Sequence, residues 1–269
     1  MFLGLSVTVV VIFCVYLFLI APKRDKGVNK FTRVKYAHRG LHNEKRAENS
    51  MSAFLTAANV GYAIELDVRL SKDGRLVVFH DSTLDRVCGV EGKVSDFTAS
   101  ELSKLSLSGT GEGVPLFTDV LAAINGKVPL LVEIKEDGMS TDTAAAVCEV
   151  MKSYKGLYLI ESFSPFALRV VKKRLPNAYR GILSFRYLGE RKFRKPHFLV
   201  LQLLMANFYC RPHFIAYDHN HPRCISLKLI RAFFKVPILA WTVRSREEEV
   251  VAYNNGFDAV IFENYCPKP

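Results

Sequence analysis

The sequence predicts an α/β fold, a (β/α)₈ TIM barrel with a small insertion after the second strand, preceded by one N-terminal transmembrane helix. Eight short runs rich in Val, Ile and Leu alternate with helical patterns, as in a barrel of parallel strands. The length of 269 residues suits one such domain plus an anchor. The predicted domains are an anchor at 1–22, a basic juxtamembrane linker at 23–34 and the barrel at 35–269.

The strands and helices of the barrel can be placed in chain order. An additional strand at 76–80 should return antiparallel to the second one, because residues 71–75 are too few for a helical crossover. An irregular insertion rich in Gly and Ser follows at about 82–117. The eight barrel strands are predicted near 35–38, 63–69, 129–134, 157–162, 179–184, 213–217, 237–242 and 258–262, and the helices near 50–60, 118–125, 141–153, 165–174, 225–235 and 245–254.

The N-terminal segment 2–21 is apolar and uncharged. About 20 residues at 1.5 Å each are enough to cross the hydrocarbon core of about 30 Å. A cleaved signal peptide is the alternative, but no basic residue precedes the apolar segment and no convincing cleavage site follows it. Because basic residues follow the segment, the positive-inside rule predicts a single-pass protein of the cell membrane with its catalytic domain in the cytoplasm.

Acidic side chains inside two apolar strands point to a functional site. Glu65 and Asp67 lie two residues apart in one predicted strand and so face the same side, and Glu133 lies in the next barrel strand. Burying ionised groups costs several kcal/mol unless they are paired or bind a metal. The sequence therefore predicts a metal-assisted catalytic site.

Two histidines end neighbouring apolar runs. His38 ends the first predicted strand, and His80 ends the return strand of the hairpin. With the turn near residues 72–73, the hairpin should place Glu65 opposite His80 or Asp81. In a barrel of this kind the chemistry lies at the carboxyl ends of the strands, where His38 and the acidic residues fall.

Seven short motifs occur together in the order found in one enzyme family. They resemble those of the glycerophosphodiester phosphodiesterase family, and specifically a membrane-anchored bacterial-type member, from about residue 35 to about 265. The chain differs from the family pattern at Ala47, Ser50 and Arg244. The motifs are His38-Arg39-Gly40, Glu48-Asn49, Glu65-x-Asp67-Val68, Lys72-Asp73-Gly74, His80-Asp81, Glu133-Ile134-Lys135 and Trp241-Thr242-Val243.

The resemblance implies a hydrolase of lipid and glycerol metabolism that cleaves phosphodiesters with a divalent cation. Glu65, Asp67 and Glu133 offer the hard oxygen ligands that suit Mg²⁺ or Ca²⁺. His38 and His80 titrate near neutrality and can form the general acid and base pair, with the two roles left open between them. By resemblance, a glycerol hydroxyl attacks the phosphate first, and water then opens a cyclic phosphate.

Arg39 and Lys135 are predicted to hold phosphate oxygens. Glu48 is expected in the metal shell or on the glycerol hydroxyls. Asn49 is expected either to donate a hydrogen bond to the metal shell or to the glycerol hydroxyls, or to cap the following helix.

The family also suggests that Phe163 and Trp241 form an apolar wall beside the substrate, with core packing as the alternative for Phe163. Asp81 is expected to orient His80 or the backbone. Surface or loop roles are expected for the remaining histidines, His42, His197, His213, His219 and His221.

The net charge of +11 is concentrated in two segments. Residues 21–35 carry six Lys and Arg against one acid (+5), residues 169–195 carry ten against one (+9), and the remainder is about −3. These basic patches imply an anionic partner. Anionic lipid is favoured over nucleic acid, because no nucleic-acid-binding module accompanies the charge. The apolar run at 198–208 is too short to span a bilayer, and either dips into the membrane interface or packs as an outer barrel helix.

The sequence is compatible with three functions. The first is hydrolysis of water-soluble glycerophosphodiesters to glycerol 3-phosphate and an alcohol. The second is a related hydrolysis of a membrane lipid, a lysophospholipid (a lysophospholipase D-like reaction) or phosphatidylglycerol. The third is a non-catalytic membrane-bound binding module, which the presence of both histidines and all three acids disfavours.

Overall fold

One sheet of nine strands closes into a barrel. The computed structural model describes residues 2–193 and 195–268, without the side chains of residues 2–5 and 192. The strands are β1 (Tyr36–Ala37), β2 (Ala63–Leu70), β3 (Leu76–Val78), β4 (Leu130–Ile134), β5 (Tyr158–Ser162), β6 (Arg180–Ser184), β7 (Phe214–Asp218), β8 (Ile238–Val243) and β9 (Ala259–Phe262). Eight of them run parallel around the barrel, and β9 pairs with β1 to close it. The predicted (β/α)₈ barrel is confirmed.

Helices surround the barrel at the predicted places. The predicted helix at 225–235 changes from α to a π-helix at Ile230–Phe234. The α-helices are α1 (Phe2–Ile20), α2 (Met51–Val60), α3 (Asp85–Cys88), α4 (Ala99–Leu102), α5 (Phe117–Ile124), α6 (Asp142–Met151), α7 (Pro165–Arg174), α8 (Pro196–Gln202), α9 (Asn207–Cys210), α10 (Ile225–Leu229) and α11 (Arg246–Asn254). Short 3₁₀ helices lie at Lys26–Arg33, Val94–Asp96, Leu107–Gly109, Tyr187–Gly189 and Arg191–Phe193.

Successive side chains of a strand face opposite sides, so apolar and ionisable side chains lie on different faces of β2. On β2, Ile64, Leu66 and Val68 face outward into the core shared with the helices. Ala63 belongs instead to the core inside the barrel, and Glu65 and Asp67 share its side of the strand. The acidic layer therefore lies above an apolar layer within the barrel, as the spacing predicted.

The hairpin of β2 and β3 is confirmed, but it is shorter than predicted. The paired residues run from Leu70–Leu76 to Val68–Val78, and Phe79 N donates to Asp67 O at 2.9 Å. The ladder ends there, so the predicted pairing of Glu65 with His80 or Asp81 is wrong. The chain leaves the sheet at His80 to enter the insertion, which carries its own small apolar core.

The predicted linker at 23–34 is folded onto the base of the barrel. Its 3₁₀ helix Lys26–Arg33 buries Val28 and Phe31 in the core inside the barrel. Tyr36 Oη donates to the carbonyl of Phe31 at 2.9 Å. Phe31 also packs edge-on against Tyr179, with ring centroids 5.8 Å apart. This segment closes the end of the barrel opposite the acidic layer.

The apolar N-terminal segment forms α1, whose last turns pack on the outside of the barrel. Ile20 is fully buried, Asn207 Nδ2 donates to its carbonyl at 2.9 Å, and Tyr16 Oη lies 2.8 Å from Ser226 Oγ. Upstream side chains such as Val10 and Ile12 are exposed. None of the helices in the described part of the chain combines the length and apolar character needed to cross a membrane. The transmembrane prediction for 1–22 therefore has no support from the structure.

The apolar run at 198–208 is divided between two short helices. Leu199 and Val200 of α8 are exposed, whereas Leu204 between the helices is buried. In α9, Asn207 is buried and Phe208 is exposed. The run therefore covers the barrel with some of its residues and presents others to the outside.

Candidate active site

Three buried carboxylates meet at the carboxyl end of the barrel. Asp67 and Glu133 are direct neighbours across the β2–β4 ladder, and Glu65 lies two residues before Asp67. One oxygen from each of Glu65, Asp67 and Glu133 lies within 4.8 Å of the other two. The structure thus brings together all three residues that the sequence proposed as metal ligands.

The carboxylates differ in their electrostatic surroundings. Burial raises the pKa of Glu65 well above its usual value, helped by Asp67 and Glu133. Burial likewise raises the pKa of Glu133 to about 7. Burial alone would raise the pKa of Asp67 too, but Lys135, His80 and Arg39 lower it below its ordinary value. Repulsion between these acids is thus only partly relieved by the basic side chains around them.

A divalent cation fits this cluster. Asp67 Oδ1 and Glu133 Oε1 are buried, and both form ion pairs with Lys135, whose Nζ lies 3.1 Å and 2.6 Å from them. Three buried carboxylate oxygens at this spacing form the hard donor set that Mg²⁺ and Ca²⁺ prefer. Lys135, predicted to hold phosphate, lies directly beside these oxygens.

The turn after β1 depends on glycine. Gly40 has a φ of +80°, and a Cβ there would lie 2.9 Å from backbone and side-chain atoms of Ala53. This close approach to α2 lets the Arg39 amide donate to Glu65 Oε2 at 2.7 Å. The Arg39 guanidinium donates to Glu48 Oε1 at 2.8 Å, and its Nε lies 3.5 Å from Asp67 Oδ2.

Asn49 supports the acidic layer and does not cap the helix. Asn49 Nδ2 donates to Asp67 Oδ2 at 2.8 Å. The cap of α2 is Ser50, whose Oγ accepts from the amide of Ala53 at 3.2 Å. The first of the two roles predicted for Asn49, donation to a group of the site, matches this geometry.

Glu48 is held by arginines. Besides Arg39, it accepts from Arg86 of the insertion at 2.6 Å and 2.9 Å. These two arginines outweigh burial and lower the pKa of Glu48. Glu48 is not among the clustered ligand oxygens of the described residues. The alternative, contact of Glu48 with the glycerol hydroxyls, stays a prediction.

Each of the two predicted catalytic histidines has a carboxylate partner. His38 Nδ1 donates to Glu263 Oε2 at 2.6 Å, and His80 Nδ1 donates to Asp81 Oδ1 at 2.6 Å. The pKa of Glu263 and that of Asp81 are lowered to about 2, because their hydrogen bonds with histidine and arginine outweigh burial. Since an ionised carboxylate only accepts, each ring keeps its proton on Nδ1 and leaves Nε2 for a reactant.

Burial and neighbouring charges lower the pKa of both histidines. For His80 the value falls to about 4, because burial, Lys135 and Arg39 disfavour the imidazolium more than Asp67 and Asp81 favour it. The pKa of His38 is lowered mainly by burial, against the opposing effect of Glu263. Both histidines are therefore within electrostatic reach of the same cluster.

Phe163 and Trp241 stand side by side at the rim of the site. Their ring centroids are 5.5 Å apart in an edge-on arrangement, and Lys135 Nζ lies 5.8 Å from the centre of the Phe163 ring. Both are half-buried and also pack on the core inside the barrel. These contacts match the alternative of core packing for Phe163, and the apolar wall beside the substrate stays a prediction.

Three further residues belong to the site although sequence reasoning missed them. Glu263 directly follows β9, the last strand. The sequence could have indicated this residue, because closure of a barrel brings the end of the last strand beside the end of β1. Arg86 lies in the irregular insertion, where no pattern marked it. Glu161 of β5 is paired in register with Glu133, is buried, and has one carboxylate oxygen without a partner. Burial and Glu133 raise its pKa well above the usual value.

The other histidines lie mainly outside this cluster. His213 and His219 are buried, so a surface role is wrong for them, but both lie in the loops that flank β7, as the loop alternative expected. Their rings bond to the backbone at Arg180 N (3.2 Å) and Thr242 O (3.1 Å), respectively. His42 Nε2 lies 3.9 Å from Glu263 Oε2. His197 and His221 are exposed, as expected.

Known proteins share this fold and part of this sequence. A solved phosphodiesterase of Oleispira antarctica, in complex with the product sn-glycerol-3-phosphate, superposes with a TM-score of 0.72 at 25% identity, covering 86% of this chain and 94% of that one. A glycerophosphodiester phosphodiesterase of Thermotoga maritima gives a TM-score of 0.65 at 27% identity, with 85% and 93% covered.

Sequence comparison agrees with the structural comparison. A glycerophosphodiester phosphodiesterase of Caldanaerobacter subterraneus is 38% identical over 160 residues, which are 55% of this chain and 65% of that protein, just under two thirds of its length. A putative glycerophosphodiester phosphodiesterase of Bacillus subtilis is 26% identical over 84% of this chain and 92% of its own. The model of the glycerophosphoryl diester phosphodiesterase family matches residues 38–265. By fold, motifs and this match, the chain belongs to the glycerophosphoryl diester phosphodiesterase family.

Proposed function

We propose that the protein is a metal-dependent phosphodiesterase that hydrolyses glycerophosphodiesters to glycerol 3-phosphate and an alcohol. One observation carries this proposal: Glu65, Asp67 and Glu133 meet within 4.8 Å at the end of the barrel where His38 and His80 present Nε2. The Oleispira antarctica relative, solved with sn-glycerol-3-phosphate, supports the same class of product.

The acidic cluster would hold the divalent cation, Mg²⁺ or Ca²⁺. When bound, the cation supplies positive charge that stabilises the developing charge on the phosphate oxygens. Lys135 and Arg39 lie beside Asp67 and would add fixed positive charge for a phosphate bound there, and Asn49 orients Asp67. Glu48, which is paired with Arg86, would contact the glycerol part.

The two histidines exchange protons with the substrate. His80, whose pKa of about 4 leaves it neutral at pH 7, takes the proton of a glycerol hydroxyl, whose oxygen attacks phosphorus. The reacting form carries His38 as the imidazolium, which Glu263 favours against burial, and His38 gives its Nε2 proton to the departing alcohol oxygen as the P–O bond breaks, which leaves a cyclic phosphate. In the second step His38 takes a proton from water, the water oxygen opens the ring, and His80 returns its proton to the glycerol oxygen.

A second candidate substrate is a lysophospholipid, which a row of aromatic rings favours. Beginning at Trp241 and Phe163, ring contacts continue to Phe185 at 6.0 Å from Phe163, then to Tyr187 at 4.0 Å and to Phe198 at 5.5 Å. This row leads from the site to α8, where exposed apolar side chains begin. It offers an acyl chain a path that a water-soluble head group does not need. A lysophospholipase D of Rattus norvegicus is 27% identical over 86% of this chain.

A substrate panel tests these candidates. The full-length protein is assayed with Mg²⁺ or Ca²⁺ on glycerophosphocholine, glycerophosphoglycerol and lysophosphatidylcholine micelles, and the released phosphate ester is identified. We expect glycerol 3-phosphate from glycerophosphocholine and glycerophosphoglycerol. Glu65→Gln should lose turnover, whereas the matched control Glu91→Gln, at an exposed site, should keep the parental rate. Faster turnover of the micelles would favour the lipid substrate. No turnover of any substrate would leave the non-catalytic binding module.

We also propose that the protein works at the cell membrane with the barrel on the cytoplasmic side. The uncharged residues 2–21 and the six basic residues between 23 and 35 support this location. Fractionation of cells that express the full-length chain tests it, with protease protection to report the side. Recovery of the chain in the soluble fraction alone would contradict it.

A further inference from the structure

Four basic side chains gather where α1 meets the base of the barrel. Arg169 and Lys172 lie on α7, Arg180 begins β6, and Arg211 follows α9. We call these four residues the basal basic cluster. Burial and then the positive charges of the other three lower the pKa of Lys172, so all three arginines lie within electrostatic range of this lysine. In the described part of the chain, no carboxylate forms an ion pair with any of them.

The arginines of this cluster bind backbone carbonyls. Arg180 Nε donates to Cys210 O and its Nη2 to Arg211 O, both at 2.8 Å. Arg169 Nη1 donates to Tyr209 O at 3.1 Å, and Arg211 Nη1 donates to Ala21 O at 2.9 Å. Carbonyl groups orient the arginines, but they do not neutralise them.

One donor of the cluster has no acceptor. Arg180 is 1% exposed, and its Nη1 is buried without a hydrogen-bond partner. A buried guanidinium nitrogen without an acceptor costs free energy comparable with a lost charged hydrogen bond. An anion at this place would remove that cost and reduce the repulsion among the four cations.

The surface around the cluster is aromatic. Phe18 is 57% exposed and Phe208 is 43% exposed, with their rings 6.4 Å apart. The Arg211 guanidinium lies 4.7 Å from the centre of the Phe18 ring, and Arg169 lies 5.1 Å from that of Tyr209. Exposed aromatic rings beside arginines are typical of surfaces at the level of lipid head groups. The exposed apolar side chains of α1 continue this surface.

We propose that the basal basic cluster binds the phosphate of an anionic phospholipid, whose acyl chains lie along the exposed side of α1 and the neighbouring aromatic rings. This site lies at the base of the barrel, away from the acidic cluster at its carboxyl end. The inference rests on the proposed membrane location and is independent of the proposed reaction. We propose a lipid and not free phosphate, because free phosphate would contact the four basic side chains but not the exposed aromatic surface.

Short-chain lipids test the proposal on the full-length protein in neutral detergent. Dihexanoyl phosphatidic acid, dihexanoyl phosphatidylcholine and inorganic phosphate are titrated by calorimetry at fixed ionic strength. Phosphatidic acid is a monoester, so the proposed diesterase reaction cannot consume it. The double variant Arg169→Gln/Lys172→Gln removes two charges of the cluster. The matched control Lys104→Gln/Lys155→Gln removes two exposed charges elsewhere.

We expect the parent and the control to bind phosphatidic acid at least about tenfold more tightly than phosphatidylcholine, since each basic group near an anionic head group contributes a factor of about five. The double variant should lose this preference while keeping its melting temperature and its diesterase rate. Equal binding of the two lipids, an unchanged double variant, or equally tight binding of inorganic phosphate would each overturn the proposal. Flotation with neutral vesicles separately tests the membrane location.

Discussion

His38 Nδ1 lies 2.6 Å from Glu263 Oε2, although 225 positions separate the two residues in the chain. The pairing of β1 with β9 closes the barrel and brings the ends of these strands together. The other oxygen of Glu263 accepts from Arg244 Nε at 2.7 Å. Glu263 is therefore a positioning residue that fixes the tautomer and direction of the His38 ring.

Replacing Glu263 by Gln should lower kcat about 10–100-fold, the range found when a group that orients a functional histidine is lost. A neutral amide no longer favours the imidazolium, so the pKa of His38 should fall further, and NMR titration of that ring measures the change. Arg244→Gln, which removes only the second partner of Glu263, should keep kcat within about threefold. Parental kcat in Glu263→Gln would show that His38 needs no orienting carboxylate.

Removal of the metal should change stability as well as activity. Mutual repulsion among Glu65, Asp67 and Glu133 destabilises the metal-free site, so added Mg²⁺ or Ca²⁺ should raise the melting temperature of chelator-treated protein. Chelation should abolish diesterase activity, and the same ions should restore it. Glu65→Gln should weaken the thermal shift, whereas Glu91→Gln should keep it. A parental shift in Glu65→Gln would place the ion elsewhere.

The leaving group separates the roles of the two histidines. On an alkyl diester, His38→Ala and His80→Ala should each lower kcat by about 10²–10⁴. A nitrophenolate leaving group needs no proton, so activity of His38→Ala should recover on a nitrophenyl diester, whereas that of His80→Ala should not. If His80→Ala recovers instead, His80 is the acid and His38 is the base. If either variant keeps kcat within about threefold of the parent on both substrates, that histidine takes no part in proton transfer.

Glu161 should make stability depend on pH. The pKa of Glu161 is raised in the folded protein, whereas in the unfolded chain it stays near 4.5. Below pH 4.5 Glu161 is protonated in both states. As the pH rises toward the pKa of the folded protein, only the unfolded state loses the proton easily, so the folded protein loses stability. Glu161→Gln carries no such penalty. In chelator, its melting temperature should therefore match the parent near pH 4 and exceed it by a growing margin as the pH rises above 4.5. Glu91→Gln should follow the parent throughout, and a constant difference across this range would contradict the buried charge as its cause.

The 3₁₀ segment Lys26–Arg33 should be required for stability. Phe31 fills the base of the barrel and is 3% exposed, so Phe31→Ala should cost about 3–5 kcal/mol in the free energy of unfolding. Arg33→Ala, at an exposed position of the same segment, should change stability by less than about 0.5 kcal/mol. Denaturant unfolding measures both. Equal stability of the two variants would mean that 23–34 acts only as a linker.

The sequence alone determined the barrel strands and most of their helices. Alternation of apolar and acidic residues in β2 placed Glu65 and Asp67 on one face, because a strand turns successive side chains to opposite sides. The motif spacing also identified Glu133 as the third acid and His38 and His80 as the histidines of the site. These features depend on neighbouring residues, so local patterns carry them.

Contacts between distant segments were decided by the tertiary structure. Closure of the barrel gives His38 its partner Glu263, and the fold of the insertion brings Arg86 onto Glu48. Register between β4 and β5 places Glu161 beside Glu133, and the base of the barrel accepts Phe31 from a segment that reads as a linker. A periodic pattern specifies which face a residue occupies. The residue it meets there depends on strand register and on how the chain closes, which no local pattern records.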